Sequence, residues 1–274
     1  MTAHLKGIAM SRIALVVLSM LILAACATAP EVTPAARADL APGGKLRAGI
    51  NFNNVLLTAK DPATGAPRGI AVDLAHELGR RLGVPVDIVP YDGAGKLADA
   101  AKAREWDVGF LGAEPQRAKE IIFTAAYLEI ESTYLVPAGS PLKTVADVDR
   151  QGVRIAVSAN SAYDLYLTRS LKQATLQRAL GVDNAYKLFV AEKLEALAGL
   201  KPRLVADAEK LPGSRILEGR FTAVQQAVGT LPGREAGAKY LWAFVEDIKA
   251  SGLVAQLMEK NGVRGVTVAP PAPY

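Results

Sequence analysis

Residues 104–142 read REWDVGFLGAEPQRAKEIIFTAAYLEIESTYLVPAGSPL, and the order of features within them decides the fold. Asp107 to Leu111 is a short apolar run of the kind that forms a buried strand, and a polar turn carrying Arg117 follows it. In an open α/β sheet the loop after a strand lies at the carboxyl edge, where ligands bind. The next apolar segment, Ser132 to Val136, is rich in β-branched and aromatic residues and leads out through Pro137 and Pro141. An extended segment that leaves through prolines predicts a chain crossing from one lobe to another.

Upstream of this stretch, Leu46, Ala48 and Ile50 alternate as in a strand that ends at Asn51-Phe52-Asn53-Asn54. Ala71, Leu74, Ala75, Leu78 and Leu82 then recur at helical spacing and stop at Gly83 and Pro85. Val84, Val86 and Ile88 form a second alternating strand that runs into Pro90-Tyr91-Asp92-Gly93, and a short helix with Leu97, Ala100 and Ala101 leads to the strand at Asp107. Strand, helix, strand, helix, strand implies a mainly parallel sheet.

Downstream the pattern repeats. Val153, Ile155 and Val157 make a strand ending in Ser158-Ala159-Asn160-Ser161, and a helix with Ala162, Leu165 and Tyr166 follows. Ala174–Ala179, Asp183–Glu192, Leu194–Gly199 and the helix opened by Lys201-Pro202 complete a second βαβαβ unit. Phe221 to Thr230 reads as a second extended crossover, and residues 234–262 are helical. Two crossovers carry the chain out of one lobe and back. The expected division is lobe 1 at 44–136 and 224–268 and lobe 2 at 137–223, with the C-terminal helices on lobe 1.

A strand ending in Trp106-Asp107-Val108-Gly109, a turn with Arg117, the pair Phe123-Thr124, Tyr127, a crossover strand and Gly139-Ser140-Pro141-Leu142 together resemble the extracellular solute-binding proteins, family 3, of ABC importers. The resemblance runs from about Gly44 to about Val266. It implies a two-lobed periplasmic binding protein-like fold of type II, with two parallel-sheet lobes joined by two hinge strands, and a solute captured between them.

The N-terminus fits export. Lys6 and Arg12 precede the apolar run Ile13 to Ala25, which is shorter than the roughly 20 residues of a spanning helix, so residues 1–25 are expected to be a signal peptide. Leu23-Ala24-Ala25-Cys26 is similar to a bacterial lipobox, and Cys26 is the one cysteine of the 274-residue chain. An exported protein with a single unpaired thiol is unusual, which favours a lipidated Cys26 over an incidental cysteine beside an ordinary cleavage site. Ala27 to Gly43, with Pro30, Pro34 and Pro42 and no apolar periodicity, reads as a flexible linker. Residues 26–43 are thus expected to be a lipidated, flexible tether in the periplasm.

Charge and composition narrow the partners. The signal holds two of the 32 basic residues and none of the 27 acidic ones, so the mature chain carries 30 against 27, a net +3. That mild excess, with no basic block, gives no nucleic-acid footprint. Histidine occurs only at His4 and His76, and no cluster has zinc spacing. Gly93-Ala94-Gly95-Lys96 lacks the full phosphate-loop spacing. No cofactor or metal is expected, and the protein reads as a monomer.

Arg117 is either a surface arginine among Gln116, Lys119 and Glu120 or a ligand clamp, and its place at the carboxyl edge favours the clamp. By resemblance, an arginine here grips the solute's carboxylate, which a guanidinium can do with two parallel hydrogen bonds. Amino-acid binders of the family carry small hydroxyl residues before this arginine, whereas Phe110, Leu111, Gly112, Ala113 and Glu114 stand here. Ser158, Asn160 and Ser161 serve as helix caps, as ligands of an anion at a helix start, or as both. Asn53, Asn54, Tyr91 and Asp92 are common turn residues placed at strand ends, with Asn51, where they would line the same cleft as Gly112.

Where the family's amino-acid binders hold an ammonium with an aspartate, this chain has Leu200 followed by Lys201. The expected cargo is a small polar or anionic solute, amino-acid-like or an organic acid, delivered to an ABC permease; the departure favours an organic acid held by Arg117, the Ser158–Ser161 turn and Lys201, unless Glu195 or Glu114 takes the aspartate's place. The alternatives are an exported enzyme on the same fold, similar to cyclohexadienyl dehydratase and working through Glu114, Asp92, Glu195 and Lys201, or a solute sensor.

Overall fold

The computed structural model describes residues 29–274. The expected signal peptide at 1–25 and the expected lipidation site Cys26 lie outside them. The first described helix is α1 (Pro34–Leu40), where a flexible linker was expected. Thr33 caps it by accepting from the Ala36 N–H at 3.1 Å, and Pro34 sits at its first turn, a position proline favours. Ala36 and Leu40, one turn apart, are fully buried. A proline that read as a linker residue, Pro34, therefore starts a helix, and the partner it needs lies some 200 residues away.

β1 (Leu46–Asn51) is followed by the small hairpin β2 (Ala59–Lys60) and β3 (Pro67–Arg68), then by α2 (Ile70–Leu82), which ends at Gly83 in the left-handed conformation. β4 (Val86–Tyr91), α3 (Ala94–Asp99) and β5 (Val108–Gly112) complete the first unit. The first crossover, β6 (Ile122–Val136), begins well before the expected Ser132. The second unit is β7 (Arg154–Ser158), α4 (Ala162–Ser170), β8 (Thr175–Ala179), α5 (Val182–Ala191), β9 (Ala196–Leu200), α6 (Lys201–Ala208) and β10 (Arg215–Ile216). The chain returns through β11 (Thr222–Thr230) to α7 (Glu235–Ala250), α8 (Leu253–Lys260) and β12 (Thr267–Val268). Among the described residues no helix is long and apolar enough to cross a membrane.

β1 lies between β4 and β5, and β7 lies between β8 and β9, all four pairings parallel. Both units thus have the same strand order, with a topological switch beside the central strand of each. β6 and β11 pair antiparallel along most of their length and link the two units into one continuous sheet, in the order β4-β1-β5-β11-β6-β9-β7-β8. The register slips between Gln226 and Ala227 and again before Gly229. Such bulges re-aim side chains next to binding sites.

One apolar core joins β1 and α2 to Tyr240, Leu241, Phe244, Val245 and Ile248 of α7, and α1 docks on it. A separate core surrounds Ile155, Val157, Tyr163 and Leu167. Leu200 packs against both. Buried Asp107, at the start of β5, accepts from the backbone and guanidinium of Arg47 and pairs with Arg234 at 3.0 Å. A buried charge needs such partners, so this aspartate anchors the strand and does not face the cleft.

Candidate ligand-binding cleft

The carboxyl ends of β1 and β5 face those of β7, β8 and β9 across a cavity of about 490 Å³. One wall is Asn51, Asn53, Asn54, the Asp92–Lys96 turn, Gly112 and Arg117; the other is the Ser158–Tyr163 turn, Leu180–Asn184, Lys187 and Leu200. Val224 and Gln226 of β11 close the space between them. This is where sheets of this kind bind ligands, and the strand ends supply the loops because each helix folds back over its own lobe.

Arg117 is 5% exposed. Its Nη1 donates to the Gly112 carbonyl at 2.6 Å, and its Nη2 donates to the Asn160 carbonyl at 2.8 Å, across the cleft. Among the described residues it forms no ion pair, and burial lowers its pKa to about 10. The group stays protonated at neutral pH, with the rest of its five N–H donors unclaimed by carbonyls. A side chain at Gly112 would strike Val224 and Ala162, so glycine there lets both lobes approach.

Asn160 adopts a left-handed backbone, φ 56°, which asparagine tolerates. Its N–H donates to Asp164 at 2.8 Å, and buried Asp164 pairs with Arg178 at 3.0 Å. That chain of contacts holds the Asn160 carbonyl toward Arg117. Ser158 is buried in the cleft wall. Ser161 caps α4, accepting from the Asp164 N–H at 3.1 Å, while its residue also lines the cleft, so the cap and the wall are one turn. Asn53 donates to the Asp92 carbonyl at 3.0 Å and accepts from the Val182 N–H at 3.4 Å, a second bond between the lobes. Asn54 accepts from the Leu56 N–H at 3.3 Å. Asp92 borders the cleft but is exposed and paired with Lys96 at 2.8 Å.

Two expected ligand residues are not in the wall. Tyr91 turns away from the cavity to pack near Leu97 and Trp106, and its hydroxyl donates to Glu105 at 3.0 Å. Burial, then that bond, push its phenol up to about 12. In a pleated strand adjacent residues point to opposite faces, so Tyr91 and the following turn cannot share one side. Lys201 pairs with Glu131 on β6 at 3.0 Å. It is the first residue of α6, and the helical turn rotates it away from the face Leu200 occupies. The remaining groups of the enzyme alternative are dispersed, with Glu114 against Arg169 and Glu195 against Arg154.

The Leu180–Lys187 segment and Gln226 are wall residues that the strand-end reading passed over. The first follows β8 as Asp92 follows β4, so the same rule applied to a weak strand would reach it. Gln226 is 5% exposed and borders the cavity. A polar side chain in an apolar crossover strand was its signal.

The bacterial extracellular solute-binding proteins, family 3, match residues 46–263. No curated protein matches the chain significantly. Among solved structures, the L-cysteine solute receptor of Neisseria gonorrhoeae shares 20% identity at TM-score 0.71, covering 84% of this chain and 95% of its own. An ancestral amino acid-binding protein, a precursor of cyclohexadienyl dehydratase, shares 21% at TM-score 0.68, covering 82% and 98%. An ancestral arginine-binding protein bound to arginine shares 20% at TM-score 0.68, covering 79% and 97%. At these identities the likeness is one of fold.

Proposed function

Because the chain belongs to the bacterial extracellular solute-binding proteins of family 3, we propose that it captures a small anionic solute between its lobes and hands it to an ABC permease. The lobes divide at 44–136 with 224–268, and at 137–223, apart from the α1 segment that joins the first. A signal peptide at 1–25 directs export to the periplasm, where lipid on Cys26 anchors a monomer to the membrane.

One observation carries the anionic reading: Arg117, buried in the cleft wall, has backbone carbonyls but no carboxylate as partners. A carboxylate solute supplies the missing charge with charge-assisted hydrogen bonds. An ammonium finds no comparable site. Asp92 and Asp183 line the cavity, yet both are largely exposed and already paired, with Lys96 and Arg203. Leu200 stands where the family's amino-acid binders place an aspartate, and burying an ammonium against it would be costly.

A thermal-shift panel tests this. Cognate carboxylates at 100 times their dissociation constant stabilise by about 2.7 kcal/mol, a rise of roughly 5–11 °C for a protein of this size. Shifts from the twenty amino acids and none from mono- and dicarboxylates would overturn the anionic reading and favour an amino-acid receptor like its structural relatives.

A further inference from the structure

The cleft is continuous in its walls with a much smaller apolar space. That annex, about 20 Å³, shares Asn53, Asn54, Tyr163, Val182 and Leu200 with the main cavity. It takes no wall from Arg117, Gly112 or the Ser158–Ser161 turn, so it lies apart from the guanidinium. Its further lining is mainly aliphatic and includes Val55, Leu56 and Leu204; its two charged members, Arg203 and Asp207, are paired with each other at 2.9 Å. A space of this size is just above the minimum for one water, which needs about two to four polar partners to be held, and the exposed lining here is chiefly aliphatic. A methyl group fits its chemistry better.

Leu200 is also out of place by local rules. It is the N-cap of α6 and makes no capping hydrogen bond with its side chain. Serine, threonine, asparagine or aspartate is strongly preferred there and leucine is among the least favoured residues. The matching helix after β7 begins on Ser161, which does cap. Residues that break a local preference are expected where function requires them, and Leu200 is the wall common to cleft and annex.

We infer that Leu200 and the annex select the end of the solute remote from its carboxylate, so that the cleft takes short aliphatic monocarboxylates in preference to dicarboxylates. This rests on the reading that Arg117 holds a carboxylate. With the anionic end on Arg117, a second carboxylate at the other end would be stripped of water against Leu200, Val182 and Leu204, where the cation of the wall, Arg203, is already held by Asp183 and Asp207. An aliphatic end there is buried at a gain of about fourfold in affinity per methylene, the equivalent of ~0.8 kcal/mol.

Calorimetry with straight-chain monocarboxylates of two to six carbons, and with dicarboxylates of matching length, tests the inference on the native chain. Affinity is expected to rise about fourfold per methylene until the annex is filled, with each dicarboxylate weaker than its monocarboxylate counterpart. Leu200→Ser should flatten that series while binding of the two-carbon acid is kept. Arg117-dependent binding that is flat with chain length, or tighter for dicarboxylates, would overturn this inference and leave the anionic reading standing. Failure of every carboxylate to bind would overturn both.

Discussion

The Arg117 Nη2 donates to the Asn160 backbone carbonyl at 2.8 Å, joining the turn after β5 in one lobe to the turn after β7 in the other. The residue proposed to hold the solute is therefore also a contact between the lobes. Closure of hinged lobes around a ligand is an established mode of capture, and in the proposed function a single guanidinium takes part in both events.

Replacing Arg117 should separate affinity from stability. Removing one partner of a buried charged pair costs about 2–5 kcal/mol of binding, so Arg117→Met should weaken the cognate solute roughly 30- to 5,000-fold. Burial already depresses the pKa of this arginine, a sign that the empty protein holds the cation at a cost. Methionine of similar size removes that cost together with the bonds to the Gly112 and Asn160 carbonyls, so the apo melting temperature should move little. An unchanged dissociation constant by calorimetry would remove Arg117 from the binding site.

Asn53→Ala should weaken binding through closure. Its carboxamide accepts from the Val182 N–H at 3.4 Å, a long bond that exists only when the lobes meet. At the weak end of hydrogen-bond contributions, about 0.5–1 kcal/mol, the loss amounts to roughly two- to fivefold in affinity. Equal affinities for variant and parent would show that the bond does not contribute to the bound state.

The N-terminal helix should be part of the fold. Leu40 is fully buried, and Gly237 of α7 lies so close that a Cβ there would sit 2.8 Å from it. Leu40→Ala should cost about 2–5 kcal/mol, a drop in melting temperature of at least ~4 °C. Unaltered melting would return this segment to the status of a tether.

Cys26→Ser should move the protein from the membrane fraction to the soluble one without changing its melting temperature, because Cys26 precedes the docked segment 34–40. Retention of the variant on membranes after high salt and carbonate washing would refute the lipid anchor.

Acid should weaken an ion-pair cluster within α2. Glu77 accepts from Arg80 and Arg81 at 2.8 Å, and chiefly the Arg80 contact draws its pKa from 4.5 to about 2. A carboxylate held low stabilises the fold above its unfolded pKa, and that stabilisation is lost as pH falls through the folded value. With solvent screening the contribution is about 1 kcal/mol. Denaturant melts should show Glu77→Gln less stable than the parent at pH 7, with the gap closing between pH 4.5 and pH 2. A gap independent of pH would rule out this linkage.

Much of the architecture was legible in the sequence because it rests on local periodicity. Alternation at Leu46–Ile50 and Val153–Val157, helical spacing at Ala71–Leu82, and the two extended crossovers were sufficient for a repeated α/β unit with a return strand. The placement of Arg117 followed from the same logic, since a turn after a strand lies at the sheet's carboxyl edge. What the sequence left undecided depends on single-residue rotations and on distant partners. One step along a pleat turned Tyr91 to Glu105, and one step along a helix turned Lys201 to Glu131, while Leu200 kept the cleft. Pro34–Leu40 became a helix because α7, far along the chain, offers the apolar surface that a seven-residue segment needs to hold its shape. The meeting of Arg117 with Asn160, and of Leu200 with the annex, is likewise decided only when the two lobes close on each other.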